Sequence, residues 1–247
     1  MEVQVSKKLK GKLCAYCAKT RATTDDHVFA REFFLVEDRH NLPKAPACRT
    51  CNNEKSKLEH YLTAVLPFGG RHPQAVANLR ISVPGRLAKN LKLKKELLAS
   101  TEPAWLREGS GLYQQTGVFA FDSSKLQGLL KFVGRGLAWH HWKVYLRPED
   151  VVSVMLMTDT ASAVFASMSS NWSSAQRVVE NLGNGTIRYV GVQAPDPPEL
   201  TLWSIWMYGG LVLTDDRCKS DGPIDSCSMW WVITGPPELD DMISRLK

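Results

Sequence analysis

Two Cys-x-x-Cys pairs, Cys14 with Cys17 and Cys48 with Cys51, stand 30 residues apart in a chain of 247. Such a turn holds two thiolates on one side of a metal ion, and a second turn completes the closed tetrahedral shell that structural zinc prefers. Thioredoxin-like redox chemistry needs only one such pair near a βαβ unit, and disulfides are weak candidates where thiols stay reduced. A structural Zn2+ on these four cysteines is therefore the expectation. Cys218 and Cys227, nine positions apart with no Cys-x-x-Cys partner, read as free thiols. A shell of four thiolates leaves no open position for substrate or activated water, so it explains folding, and chemistry has to come from other residues.

The candidates lie between the pairs and directly behind the second one. Asp26 offers a hard anionic oxygen suited to Mg2+, and an amide oxygen such as that of Asn52 is an acceptable second ligand for this cation. His27, adjacent to Asp26, can take a proton from water near neutral pH. Because the zinc pins its ligand-bearing segments together, side chains distant in sequence can converge on one opening. Taken singly, each residue has an ordinary use: Asp26 in a local turn, His27 in a core, Asn41 and Asn52 in turns or caps. The joint pattern around one zinc frame favours chemistry.

Read together, Cys14-x-x-Cys17, Asp26-His27, Asn41-Leu42 and Cys48-Arg49-x-Cys51-Asn52-Asn53-Glu54-Lys55-Ser56 resemble the HNH endonucleases over about Leu13 to Leu62, roughly a fifth of the chain. The resemblance implies a ββα-metal module built on a treble-clef zinc. It would make His27 the general base, Asp26 a metal ligand, Asn41 the residue orienting the loop that carries the base, and Asn52 the other ligand of Mg2+ or a similar divalent cation. Asn53 could exchange roles with Asn52, and Lys55 and Lys57 would lie near phosphate. Ala30 stands where many relatives carry proline. Ser56 stands where some carry a second helix histidine, which implies a lean metal shell completed by water and DNA phosphate. The implied activity is hydrolysis of DNA phosphodiesters to 5′ phosphate and 3′ hydroxyl. One such site cuts one strand, so a homodimer is a plausible working form. The competing reading is a noncatalytic zinc module that binds nucleic acid or protein, and a third makes the back half a ligand sensor gating the nuclease.

The elements that must hold these residues can be read from patterning. Leu58, Tyr61, Leu62, Val65 and Leu66 recur at helical spacing, predicting a helix over about 52–66 that leaves the second cysteine turn and ends at Pro67-Phe68-Gly69-Gly70. A second helix is expected over 86–98. Charge changes near Ser100-Thr101-Glu102-Pro103: residues 1–100 hold 19 Lys plus Arg against 9 Asp plus Glu, whereas the remainder is net −4. The expected division is 1–100, the zinc module with a basic helical connector, and 101–247, an α+β domain with no recognised motif. A basic front attracts polyanions, of which nucleic acid is the commonest large one, although solvated lysines look the same.

In the back half, Gly117–Asp122 reads as a strand, and Leu126, Leu129, Leu130, Val133 and Leu137 mark one face of a core helix ending at Trp139-His140-His141-Trp142. The two histidines are assigned to packing. Residues 151–157, 186–192, 200–208 and 229–233 read as strands of a largely antiparallel sheet, with a helix over 175–182 between the first two. All eight tryptophans fall in this half and are expected in its core. The overall expectation is α+β. His40 and His60 occupy no motif position. No apolar run of membrane-spanning length appears, and the charged N-terminal residues lack a secretory pattern, so a cytoplasmic location is expected.

Overall fold

The computed structural model describes residues 11–107, 113–156, 176–211 and 229–244. The chain is mixed α+β with an antiparallel five-stranded sheet. Two short strands, β1 (Thr24–His27) and β2 (Lys44–Ala47), form an antiparallel pair and lead into helix α1 (Arg49–Val65). The helix thus begins three residues before the expected start near 52, with Cys48 at its N-cap position. The basic stretch expected as one helix is divided. After α2 (Pro73–Ile81) come α3 (Val83–Lys89) and α4 (Leu91–Ala99), separated at Asn90, whose side chain accepts from the Leu93 N–H at 3.1 Å. Asparagine competes with helical backbone for such bonds, so it starts a new helix here rather than continuing one.

A two-stranded ribbon follows, β3 (Glu102–Arg107) with β4 (Tyr113–Val118). The strand expected over 117–122 therefore ends early, since Asp122 is required as the N-cap of α5 (Ser123–Trp142), where it accepts from the Ser124 N–H. The predicted face of α5, Leu126, Leu129, Leu130, Val133 and Leu137, is wholly buried. The main sheet has the order β5-β9-β8-β7-β6, all neighbours antiparallel, with β5 (Val151–Leu156), β6 (Gln176–Leu182), β7 (Ile187–Gln193), β8 (Thr201–Met207) and β9 (Trp230–Gly235). Segment 176–182 was expected as a helix and is a strand. Alternate residues Val178, Glu180 and Leu182 are the less exposed ones, and Gly183-Asn184-Gly185, all at positive φ, turns the chain into β7. Asn-Gly between apolar residues is a hairpin signal that outweighs the apparent helical spacing of Val178, Val179 and Leu182. A short helix α6 (Leu239–Ser244) places Leu239 and Ile243 against Leu202 and Ile233.

One buried cluster takes side chains from both sides of residues 100–103, among them Cys14, Tyr16, Val28, Phe29, Leu62, Leu130, Leu137, Tyr189 and Trp203. Trp203 and Trp231 are fully buried, whereas Trp105 is 65% exposed on β3. Cys218, Cys227 and Trp172 lie outside the described residues. Among the described residues no helix is long and apolar enough to cross a membrane.

Candidate metal centre and histidine site

The four cysteines converge. One sulfur from each of Cys14, Cys17, Cys48 and Cys51 lies within 4.8 Å of the others, so the cluster could hold a metal ion such as zinc. A tetrahedral shell with Zn–S near 2.3 Å puts its sulfurs about 3.8 Å apart, which this cluster can meet with small side-chain adjustments. The first turn is closed by the Ala18 N–H to the Cys14 carbonyl at 2.8 Å and docks on β2 through the Ala15 N–H to the Pro46 carbonyl at 2.8 Å. Ala18 takes a left-handed φ of +52° to close it, a conformation that disfavours a side chain. Cys48 and Cys51 occupy the N-cap and first turn of α1. Burial lifts the Cys14 thiol to about 11. Burial opposes the Cys17 thiolate as well, but the Lys19 and Thr20 backbone N–H groups outweigh it and hold that thiol near 7. Burial and the negative charge of Cys14 push Cys51 upward. A bound cation would relieve this crowding of sulfurs.

Asp26 and His27 are adjacent on β1 and pair with Ala45 and Lys44 across the ladder. Asp26 is nearly buried. Its Oδ2 accepts from the Tyr16 hydroxyl at 2.5 Å and lies 3.0 Å from the Lys55 ammonium. Lys55, expected near phosphate, is instead completely buried: it also donates to the His27 carbonyl at 2.7 Å and to Glu59 Oε1 at 2.5 Å. An ammonium has three N–H donors, and these three acceptors use all of them. The reason is helical geometry. Cys51, Lys55 and Leu62 share the face of α1 turned inward, and the cysteines bring that face onto β1. Lys57 lies on the opposite, exposed side of α1.

His27 is half-buried. Burial, then the charges of Lys44 and Arg31, hold its imidazole below the ordinary range, so it is neutral near pH 7 and able to accept a proton. Asn52 is half-buried in the first turn of α1, three residues before Lys55 and so on the side nearer β1. Asn53 is exposed. Asn41 is exposed at a left-handed φ of +53°, and among the described residues its amide makes no hydrogen bond to the loop. Its contribution is conformational, because asparagine tolerates this φ better than most residues.

Several residues of the site were not singled out in the sequence. Tyr16 and Glu59 complete the Asp26–Lys55 network, Lys44 is the cross-strand neighbour of His27, and Arg31 follows β1 closely. Only the i,i+4 spacing of Lys55 and Glu59 offered a signal. The histidines on α5 divide: His141 packs between Tyr189 and Trp203, with Nε2 2.9 Å from the Tyr189 hydroxyl, whereas the His140 ring meets the backbone of Lys44. Compared with known proteins, the chain matches no family model, no curated protein and no solved structure.

Proposed function

We propose that the protein is a metal-dependent HNH-type endonuclease acting on DNA, with His27 as the general base. The observation that carries this reading is the placement of a neutral, half-exposed imidazole on β1, flanked by two exposed cations and anchored beside four converging cysteines. The order of cysteine turn, strand pair and helix supports a treble-clef ββα-metal module, with zinc holding the frame. In this reading the His27 ring takes the proton from the water that attacks phosphorus, and the buried Lys55 keeps the β1 backbone in place through the His27 carbonyl. Asp26 retains Oδ1, which receives no hydrogen bond among the described residues, and this oxygen with the Asn52 amide would hold a divalent cation such as Mg2+. When bound, that cation supplies neutralisation of the charge developing on the phosphate.

One observation favours the alternative of a noncatalytic zinc module: Asp26 Oδ2 is already neutralised by Lys55, so the carboxylate has an internal counter-cation. Nicking of supercoiled plasmid separates the two. The nuclease reading expects nicking that requires added Mg2+ or Mn2+ and falls by about 100-fold or more in His27→Ala, with zinc content and circular dichroism unchanged. Equal nicking by His27→Ala and the parent would remove His27 from the role of base. No nicking by the parent with either metal would leave the binding module.

A further inference from the structure

We infer that Lys44 and Arg31, rather than cations of α1, form the phosphate-binding pair of this protein and hold the backbone of a nucleic acid beside His27. The inference rests on the reading above for the class of polyanion, but its geometry is independent of whether His27 performs catalysis.

Register places Lys44 directly opposite His27, and the Val28 N–H donates to the Pro43 carbonyl at 2.8 Å. In an antiparallel ladder that bond identifies the His27–Lys44 pair as a non-hydrogen-bonded one, the kind in which facing side chains come closest and share a side of the sheet. Ala45, Pro46 and Ala47, which complete β2, are buried, so Lys44 is the one residue of that strand left exposed. Arg31 lies four residues beyond His27 at the start of a 3-10 turn and is exposed as well.

Neither cation has a protein anion among the described residues. Lys55, the cation of α1 nearest to His27, is by contrast used up on Asp26 and Glu59. The positive field of Lys44 and Arg31 thus falls beside the His27 ring, and an anion arriving there meets two charges that have no protein anion among the described residues. The position is also built rather than incidental. In a non-hydrogen-bonded pair the Lys44 N–H and C=O point away from β1, toward His140 Nδ1 of α5, which lies 2.9 Å from the carbonyl and 3.2 Å from the nitrogen and bonds one or the other according to its tautomer. Lys143 in turn donates to the His140 carbonyl at 2.5 Å. The second half of the chain therefore fixes the backbone of the residue that carries the charge. A phosphodiester is the anion that suits two separated cations beside a proton acceptor.

The test is binding of a fluorescein-labelled 20-base-pair duplex to the full-length protein, without added Mg2+, by anisotropy over a range of salt concentrations. Each lysine or arginine that neutralises a phosphate contributes about 0.9 to the slope of log affinity against log salt. Lys44→Gln and Arg31→Gln are each expected to lower that slope by about 0.9, their combination by about twice as much, with Lys92→Gln unchanged and Lys44→Arg restored to the parental slope. Slopes for Lys44→Gln and Arg31→Gln equal to that of Lys92→Gln would overturn the assignment, even if the parent nicks plasmid. Binding with the expected slopes but no nicking by the parent would uphold the pair while defeating the nuclease reading. Absence of duplex binding by the parent would overturn the phosphate-binding pair, while plasmid nicking decides the nuclease reading on its own.

Discussion

Lys55 carries a positive charge into a place closed to water, and it does so because Asp26, Glu59 and the His27 carbonyl surround its ammonium. Removing one member of a buried charge network leaves the others unpaired, which is more costly than never having buried them. Lys55→Met is expected to lose about 3 to 5 kcal/mol of stability in urea unfolding, because two carboxylates then face each other without a cation. Burial outweighs the attraction of Lys55 and lifts Glu59 from its ordinary 4.5 to about 7. The folded chain therefore binds this proton more tightly than the unfolded chain. The resulting stabilisation is present below about 4.5 and is lost as pH rises through about 7. The urea midpoint of the parent should fall across this window relative to Glu59→Gln, and parallel pH profiles would show that Glu59 does not titrate there. Cys14, Cys17, Cys48 and Cys51 were legible in sequence because their function depends on type and short spacing. The role of Lys55 was not, since a lysine behind a cysteine turn reads equally well as a surface cation until the face of α1 is known.

At the scale of elements, α5 does more than fill a core. The segment leaving β1 is held by it closely: a Cβ on Gly136 would lie 2.9 Å from Val28 Cγ2 and 3.3 Å from the Tyr16 ring, and Phe132 meets Tyr16 edge-on at 5.3 Å. Glycine is needed here for close approach of helix to strand, not for turn geometry. Alanine ordinarily improves a helix interior by about 1 kcal/mol, but overpacking costs about 1 to 3 kcal/mol. Gly136→Ala is thus expected to lower the melting temperature, and an unchanged or higher value would mean that Val28 yields easily. The apolar stripe of α5 and four strands of the main sheet were visible as periodicity. The helix expected over 175–182 failed because Val178, Val179 and Leu182 fit either period locally, and pairing with β7 decided between them. The interruption at Asn90 was similarly hidden in a continuous basic pattern.

For the whole molecule, one buried cluster joins the cysteines to residues of the tryptophan-rich half. All eight tryptophans lie beyond residue 100, yet Trp139, Trp203 and Trp230 are buried in the same cluster as Cys14, Cys48 and Cys51. Removing a bound metal with a strong chelator, or replacing Cys48 with Ser, is therefore expected to change tryptophan fluorescence and near-ultraviolet circular dichroism in a single transition with loss of the front segment. A tryptophan signal indifferent to chelation would show that the two halves fold separately. The sequence by itself determined the cysteine quartet that could hold a metal, the adjacency of carboxylate and imidazole, the α5 stripe and the α+β class, because each depends on residue type at short spacing or on a repeating period. Only the tertiary structure decided which lysine is buried and which faces solvent beside His27, and that His140 steadies the opposite strand from nearly a hundred residues away. Those outcomes depend on which face each element turns toward its neighbours, a choice made when the core closes and not before.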